Sequence, residues 1–325
     1  MKDSASNLQM RILIAFAAIY LIWGSTYLAI WFAIETIPPF LMAGMRFIAA
    51  GAILYAWSRW RGAEKPTPVQ WRSAVVIGVL LLLLGNGGVT WAELFVPSGI
   101  AALMIATTPL WIVLLDWVWH GGNRPGLRTA AGLLAGFIGI LVLIGPNNLL
   151  QGQGLNLWGV VALLAASVAW ATGSLYSRRA PLPQSPLLAT GMEMLCGGGM
   201  LLLAGVLTGE IGKFNLAAIS SRSLFSLIYL IIFGAVIGFT AFVWLLRVTT
   251  PARVSTYAYV NPVIAIFLGW MLAGEKLTGQ TLLAAAIIIA GVILIVTSPA
   301  PQKQPVVARE EKIPGEMSTV CLEEA

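Results

Sequence analysis

Ten apolar runs, each long enough to cross a bilayer, carry one five-run pattern written twice, and this constrains the chain more than any other feature. Trp23 precedes Met45 by 22 positions, and Trp170 precedes Met192 by the same 22. Pro39 matches Pro186 in that register. Thr90 matches Thr240, and Pro109 matches Pro262. Gly122, Thr129 and Gly139 match Gly274, Thr281 and Gly291 at a constant offset of 152. Five is odd, so the second copy must enter the membrane inverted relative to the first. Inverted repeats of this kind recur in membrane carriers.

Composition agrees. The 325 residues are 58% hydrophobic and only 10% charged, whereas a soluble domain carries about 25% charge. Such a chain cannot cover itself with a water-compatible surface. The net charge of +6 does not point to nucleic acid, because the basic residues sit in short loops between apolar runs. Cys196 lies in a span and Cys321 in the polar tail, so no disulfide between them is expected. The apolar run after Arg11 is too long, and too poor in a small-residue cleavage site, for a removed signal.

The spans read as Ile12–Ile34, Phe40–Ser58, Ala74–Leu94, Ser98–Trp119, Leu127–Ile144, Leu157–Tyr176, Pro186–Leu207, Leu224–Leu246, Ala252–Ala273 and Gly279–Thr297. Prolines 38, 39, 97, 181, 183 and 251 stand at the breaks. With the N-terminus in the cytoplasm, fifteen Lys and Arg fall on the inside and three, Lys213, Arg222 and Lys276, on the outside. That bias places both termini in the cytoplasm. The expected organisation is a cytoplasmic N-terminus (1–11), a first repeat (12–145), an external linker (146–156) and a second repeat (157–297). A disordered cytoplasmic tail (298–325), rich in Pro, Lys and Glu, ends the chain.

A carrier needs a hydrated cavity near the midplane, so polar and aromatic groups at depth are its candidate lining. They gather in spans 1, 3, 4, 6 and 9, with span 8 added by symmetry through Thr240 and Trp244. The candidates are Trp23, Ser25, Tyr27, Arg46, Asn86, Thr90, Trp111, Trp170, Glu193, Tyr257 and Asn261. Competing readings stand beside them. Ser and Thr also bond back to their own helix, and deep tryptophans also serve packing. Trp57, Trp60, Trp71 and Trp119 read as interfacial belt residues. Spans 5 and 10 are nearly featureless Gly/Ala/Ile/Leu/Val helices, suited to the periphery or to a homodimer contact. Pro109 and Pro262, at matched mid-span positions, are candidate hinges for alternating access, or static kinks.

Charges inside the membrane are the sharpest signal, since each costs several kcal/mol unless paired or hydrated. Arg46 and Glu193 share one repeat position. Each lies about 10 Å inside its own face, Arg46 from the outside and Glu193 from the cytoplasm. They differ in depth, so a direct ion pair is not implied. Arg46 reads as an anchor for a substrate carboxylate or as a partner for backbone carbonyls. Glu193 reads as a carrier of a coupling proton, or as an acid pairing with Arg178 or Arg179. Glu93 and Asp116 near span ends fit gate carboxylates or plain helix-end solvation. Glu275 and Lys276 read as loop charges capping the last helix, and His120 as a bland loop residue.

There is no Gly-x-x-x-x-Gly-Lys-Ser/Thr loop, so ATP does not drive the chain directly. No His-Glu-x-x-His, Cys-x-x-Cys or Gly-x-Ser-x-Gly motif is present. No metal, cofactor or enzymatic activity is expected.

The run Trp23-Gly24-Ser25-Thr26-Tyr27, and the turn Gly274-Glu275-Lys276-Leu277-Thr278 followed by Gln280 and Gly291, resemble the drug/metabolite transporter superfamily. The likeness is to its two-EamA-domain branch and, within it, to the YedA-like inner-membrane transporters. It covers about residues 11–297. It implies an all-α polytopic protein of ten transmembrane helices, two inverted five-helix repeats around a central cavity. It also implies export of small metabolites across the inner membrane, with no particular substrate. Substrate and lipid bilayer are the expected partners. Proton coupling, uniport and exchange all fit. A membrane enzyme acting on lipid-like substrates lacks the clustered acids or His it needs, and a non-carrier channel or scaffold bundle is the remaining alternative.

Overall fold

The computed structural model describes residues 2–120, 126–145, 156–249, 254 and 256–297, and among these all regular structure is helical, without a strand. Arg124, Arg253, Ser255, the side chain of His120 and the tail from residue 298 lie outside the described residues. Ten membrane helices follow one another. They are α1 (Lys2–Ala33), α2 (Pro39–Trp60), α3 (Pro68–Ala92), α4 (Ser98–Val118) and α5 (Leu127–Ile144), then α6 (Leu157–Ser177), α7 (Pro186–Leu207), α8 (Ser221–Leu245), α9 (Tyr257–Ala273) and α10 (Gly279–Val296). Nine are long and apolar enough to span a bilayer by length and composition; α9 is a shorter apolar helix. The sequence-based spans agree to within a few residues except at the ends of α1, α3 and α9. Helix α1 runs ten residues ahead of its apolar stretch, because no Gly or Pro interrupts Lys2–Arg11.

Half of the helix starts carry their own cap. Thr67 and Gln70 form a reciprocal box at α3, Asn156 caps α6, and Ser185, Ser220 and Thr278 cap α7, α8 and α10. Helices α2 and α4 begin after Pro38 and Pro97, which have no side-chain acceptor to offer. Their orphan N–H groups are filled from the other repeat. Glu210 accepts from the N–H of Phe40 at 3.3 Å and of Leu41 at 2.9 Å. Glu275 accepts from the N–H and hydroxyl of Ser98 at 2.7 and 2.6 Å, and from Gly99 N–H at 3.0 Å. Each acid follows a left-handed glycine, Gly209 (φ 76°) or Gly274 (φ 67°), which turns the chain back on itself. The expectation that Glu275 caps the last helix is therefore corrected. Thr278 does that, because a carboxylate turned back by Gly274 points toward α4 and away from α10.

Packing follows the repeat. Helix α2 lies against α7 and α5 against α10, so each pair joins equivalent helices of the two halves. The pairing of α1 with α9 is mirrored by α6 with α4, and α1 with α8 by α6 with α3. At the α2–α7 crossing four buried glycines let the backbones touch. A Cβ on Gly44 would lie 2.9 Å from Leu202 N, on Gly51 2.9 Å from Leu195 N, on Gly191 2.8 Å from Tyr55 N and on Gly198 2.9 Å from Ile48 N. Gly44 and Gly51 match Gly191 and Gly198 at an offset of 147. The crossing is thus its own image, the small-residue contact that membrane helices use in place of a hydrophobic drive. Gly132, Gly139 and Gly291 do the same for α5 and α10, while a Cβ on Gly136 would meet Leu110 of α4. Any homodimer through these helices has to use their outward sides, where Leu134, Leu141, Leu282 and Leu283 are exposed.

Two helices depart from α geometry at matched places. Gly78–Asn86 within α3 and Leu230–Ile237 within α8 are π-helical. Such segments shift the hydrogen-bond ladder and are frequent at functional sites. Helix α4 breaks at Ala106–Thr107, just ahead of Pro109, whereas Pro262 sits inside an uninterrupted α9.

Candidate functional site

Besides the α2–α7 and α5–α10 pairs, the two halves meet along a seam of α1, α3, α4, α6, α8 and α9, and most sequence candidates stand on its helices. Their placement starts from the first helix of each repeat. Trp23 of α1 donates its indole N–H to the carbonyl of Gly234 at 3.1 Å, inside the π segment of α8. It nests among Phe239, Phe242 and Tyr257, with ring centroids 5.3, 5.2 and 5.2 Å away. A Cβ on Gly238 would meet Trp23 Nε1 at 2.4 Å. Trp170, its equivalent in α6, lies against Gly85 in the π segment of α3, where a Cβ would stand 3.0 Å from the ring. Each repeat therefore seats a tryptophan on a glycine at the π segment of the other. In α3 the carbonyl of Leu81 takes a second donor, Asn86 Nδ2, at 3.2 Å.

Glu193 lies apart from Arg46. With Trp170, Thr190, Leu81, Leu82, Met194 and Phe239 it lines a partly open pocket of about 20 Å³, room for a single water. The one ion pair within 4.0 Å among the described residues joins Arg222 to Glu35, so no bridge links Glu193 to Arg178 or Arg179. Arg46 is buried beside Gly234 and Thr26, with its guanidinium carbon 4.8 Å from the ring centre of Phe47. Arg46 Nε, Trp111 Nε1 and Asn261 Oδ1 are buried without a hydrogen-bond partner. Trp111 sets its ring edge-on to Phe137 at 5.4 Å. Ser25 donates to Ile22 O at 2.8 Å and shares a 2.6 Å hydrogen bond with Tyr229 OH. Thr90, 1% exposed, bonds back to Asn86 O at 2.8 Å, as hydroxyls inside membrane helices commonly do. Tyr27 packs against the large cluster around Leu103 and Leu163.

Glu93 is a correction. Helix-end solvation was one expectation for it, but the side chain is 2% exposed and neither carboxylate oxygen has a partner. The chain past α3 encloses the carboxylate within the protein. Asp116 is half-buried. The sequence reading passed over Glu210, Tyr229, Phe239 and Phe242, whose roles come from partners about 170 or more residues away. A Gly-Glu pair directly after an apolar run was the available signal for Glu210.

At the end of the bundle that holds the α1–α2 and α7–α8 turns the two halves are laced together. Besides Glu210 and Glu275, Ser223 donates to Phe32 O at 2.8 Å, Ser220 N–H to Thr36 Oγ at 3.1 Å, and Arg222 pairs with Glu35 at 3.0 Å. An open cleft of about 440 Å³ over this lacing is lined by residues 34–40, Trp91, Leu94, Thr208, Glu210 and Lys213. Glu275→Ala strips three donors at the start of α4 of their acceptor. It is expected to lower stability by about 1–3 kcal/mol, read as a fall in the thermal midpoint of the purified protein, with Glu275→Gln falling less. An unchanged midpoint in the alanine variant would show the cap to be dispensable.

The EamA-like transporter family matches residues 10–145 and 157–297. The inner membrane transporter YedA of Escherichia coli (strain K12) is 41% identical over 86% of this chain and 89% of its own length. Protein PecM of Dickeya dadantii is 28% identical over 84% of this chain and 88% of its own. The transporter YvbV of Bacillus subtilis is 23% identical over 93% and 97%. A protein of known crystal structure shares the fold, with a TM-score of 0.60 at 24% identity, over 88% of this chain and 97% of that one.

Proposed function

The chain belongs to the EamA-like transporter family, and on that premise we propose that it is a secondary active transporter. It exports small organic metabolites, amino acids or amphipathic aromatic compounds, across the inner membrane by alternating access. The observation that carries this reading is the line of buried, unpartnered polar groups and aromatic rings along the seam of two inverted halves. Lipid-facing helices have no use for such groups, and a closed static bundle would leave their cost uncompensated. The inner-membrane location follows the name of the YedA relative, and cytoplasmic termini follow the fifteen-to-three bias of Lys and Arg.

The self-symmetric pairs α2–α7 and α5–α10 serve as the frame, because their backbones are already in contact. Movement falls to α1, α3, α4, α6, α8 and α9. The break at Ala106–Thr107 ahead of Pro109, the proline at 262 and the π segments of α3 and α8 absorb it. Opening outward breaks the lacing by Glu275, Glu210 and Arg222. Glu193, facing its water-sized pocket, carries the coupling proton.

The test is a growth screen and a flux assay on one protein. Cells overexpressing it are exposed to toxic amino acids, their analogues and cationic drugs, with Arg46→Ala alongside. Resistance to one chemical class, lost in the variant, is expected, together with saturable counterflow of that class in proteoliposomes. Glu193→Gln is expected to keep counterflow and abolish its acceleration by an imposed pH gradient. Flux that rises linearly with concentration and shows no counterflow would mean a channel.

A further inference from the structure

Among the described residues, Glu93 alone keeps both carboxylate oxygens enclosed without a hydrogen-bond partner. The residue is 2% exposed, and no ion pair reaches it. The three other acids at the laced end of the bundle are all engaged. Glu35 pairs with Arg222, Glu210 accepts from Phe40 and Leu41, and Glu275 accepts from Ser98 and Gly99. An ionised carboxylate shut away with no donor and no counter-charge in contact is heavily penalised, and the neutral acid far less. In this closed arrangement Glu93 therefore carries its proton.

The second half of the chain supplies its cover. Glu93 follows the last residue of α3, and Val89, Ala92 and Val96 around it belong to one apolar cluster with Val160 and Leu163 of α6. A Cβ on Gly159 of α6 would lie 2.5 Å from the Val96 side chain and 3.5 Å from Ala92 O. Helix α6 brings no charged residue to this contact. The ionisable groups whose charges bear on Glu93 are Glu275 of the α9–α10 turn, Arg46 of α2 and Tyr27 of α1. Glu275, also from the second half, clamps Ser98 at the start of α4. Cover and clamp both go when the halves part at this end. Water then reaches the carboxyl and takes its proton: the O–H bond breaks, the electron pair stays on the carboxylate, and water becomes hydronium. Closing runs the step backward.

We propose that Glu93 is a proton lock: this end of the bundle closes only with a proton from the adjoining water bound to Glu93, and ionisation of Glu93 holds it open. The lock rests on the alternating access proposed above for what the opening serves. It is separate from the role given to Glu193, which lines a different pocket. A closed state that holds one more proton is favoured as pH falls, so the open fraction rises with pH. One linked proton changes the ratio of open to closed by up to about tenfold per pH unit, between the proton affinities of Glu93 in the two states.

The experiment places a thiol under the same cover with Val96→Cys, and one on the exposed surface of the same end with Lys213→Cys. Each full-length purified protein is labelled with a water-soluble maleimide over a pH series, and the labelling of the parent's own cysteines is subtracted. The ratio of the two rates cancels the ionisation of the thiol and follows the open fraction. It is expected to rise with pH by up to about tenfold per unit, to stay low and flat in Glu93→Gln, and to keep its rise in Glu93→Asp. The infrared difference between the parent and Glu93→Gln at neutral pH is expected to show the band of a protonated carboxyl. A flat ratio in the protein with Glu93 intact overturns the lock, whether or not the Glu93 variants fold. So does a rise that survives Glu93→Gln, or the absence of the band. A rise abolished by Glu93→Gln in a protein that shows no counterflow keeps the lock and removes the carrier. Counterflow with a flat ratio keeps the carrier and removes the lock.

Discussion

Gly51→Val is expected to prevent the two halves from assembling. A Cβ at Gly51 would stand 2.9 Å from Gly191 O, from Leu195 N and from the Met194 side chain. Two of these are backbone atoms of α7, so no rotamer change relieves the clash and the helices must separate along their length. In a bilayer that loss is not regained by burying the valine, because lipid is as apolar as the interface. Overpacking of this kind costs about 3 kcal/mol or more. Its equivalent in the second repeat, Gly198, faces Ile48 N at the same 2.9 Å and should respond alike. Gly199, one position on, faces open space, so Gly199→Val is the control. The measurement is the thermal midpoint and the monodisperse yield of the purified protein. A Gly51→Val protein as stable as its parent would sink the idea that this crossing is the frame.

The second large effect is on transport. Gly238→Val drives a side chain into the seat of Trp23, since even a Cβ there lies 2.4 Å from Nε1 and 3.0 Å from Cδ1. The indole must leave, and with it goes the bond to the Gly234 carbonyl. A carbonyl in a π segment that loses its extra donor inside the membrane costs on the order of 1.4 kcal/mol, a factor of about ten. Counterflow is therefore expected to fall at least tenfold while the protein still inserts and purifies. Trp23→Phe, which keeps a ring but not the donor, should reproduce part of the loss. Gly85→Val, pushing on Trp170 in the other repeat, should act in the same direction. If Gly238→Val transports normally, the tryptophan seats are packing and no part of the cycle.

Some of this was legible in residue order. The number of spans, their limits and the inverted repeat follow from hydropathy and from matched landmarks such as Pro109 and Pro262, because a bilayer demands about twenty apolar residues from every crossing. Arg46 and Glu193 stood out because charge is costly at depth. Glu93 did not, since an acid near a span end looks the same whether it faces water or turns inward. Glu275 was assigned to its neighbouring helix, α10. Its real partner, α4, begins 177 residues earlier. The π segments left no mark in hydropathy, because α and π turns use the same apolar residues.

What the sequence by itself determined is the architecture: ten helices, two inverted halves, and a bundle that belongs in a membrane. Those are consequences of local chemistry, the length of each apolar run and the parity of five. The tertiary structure alone decided which polar groups meet. It brought carboxylates of one repeat to the bare helix starts of the other, set each tryptophan on the opposite π segment, and buried Glu93 without a hydrogen-bond partner. Such pairings depend on the rotation and depth of each helix, and these are settled by backbone contacts between glycines far apart in the chain.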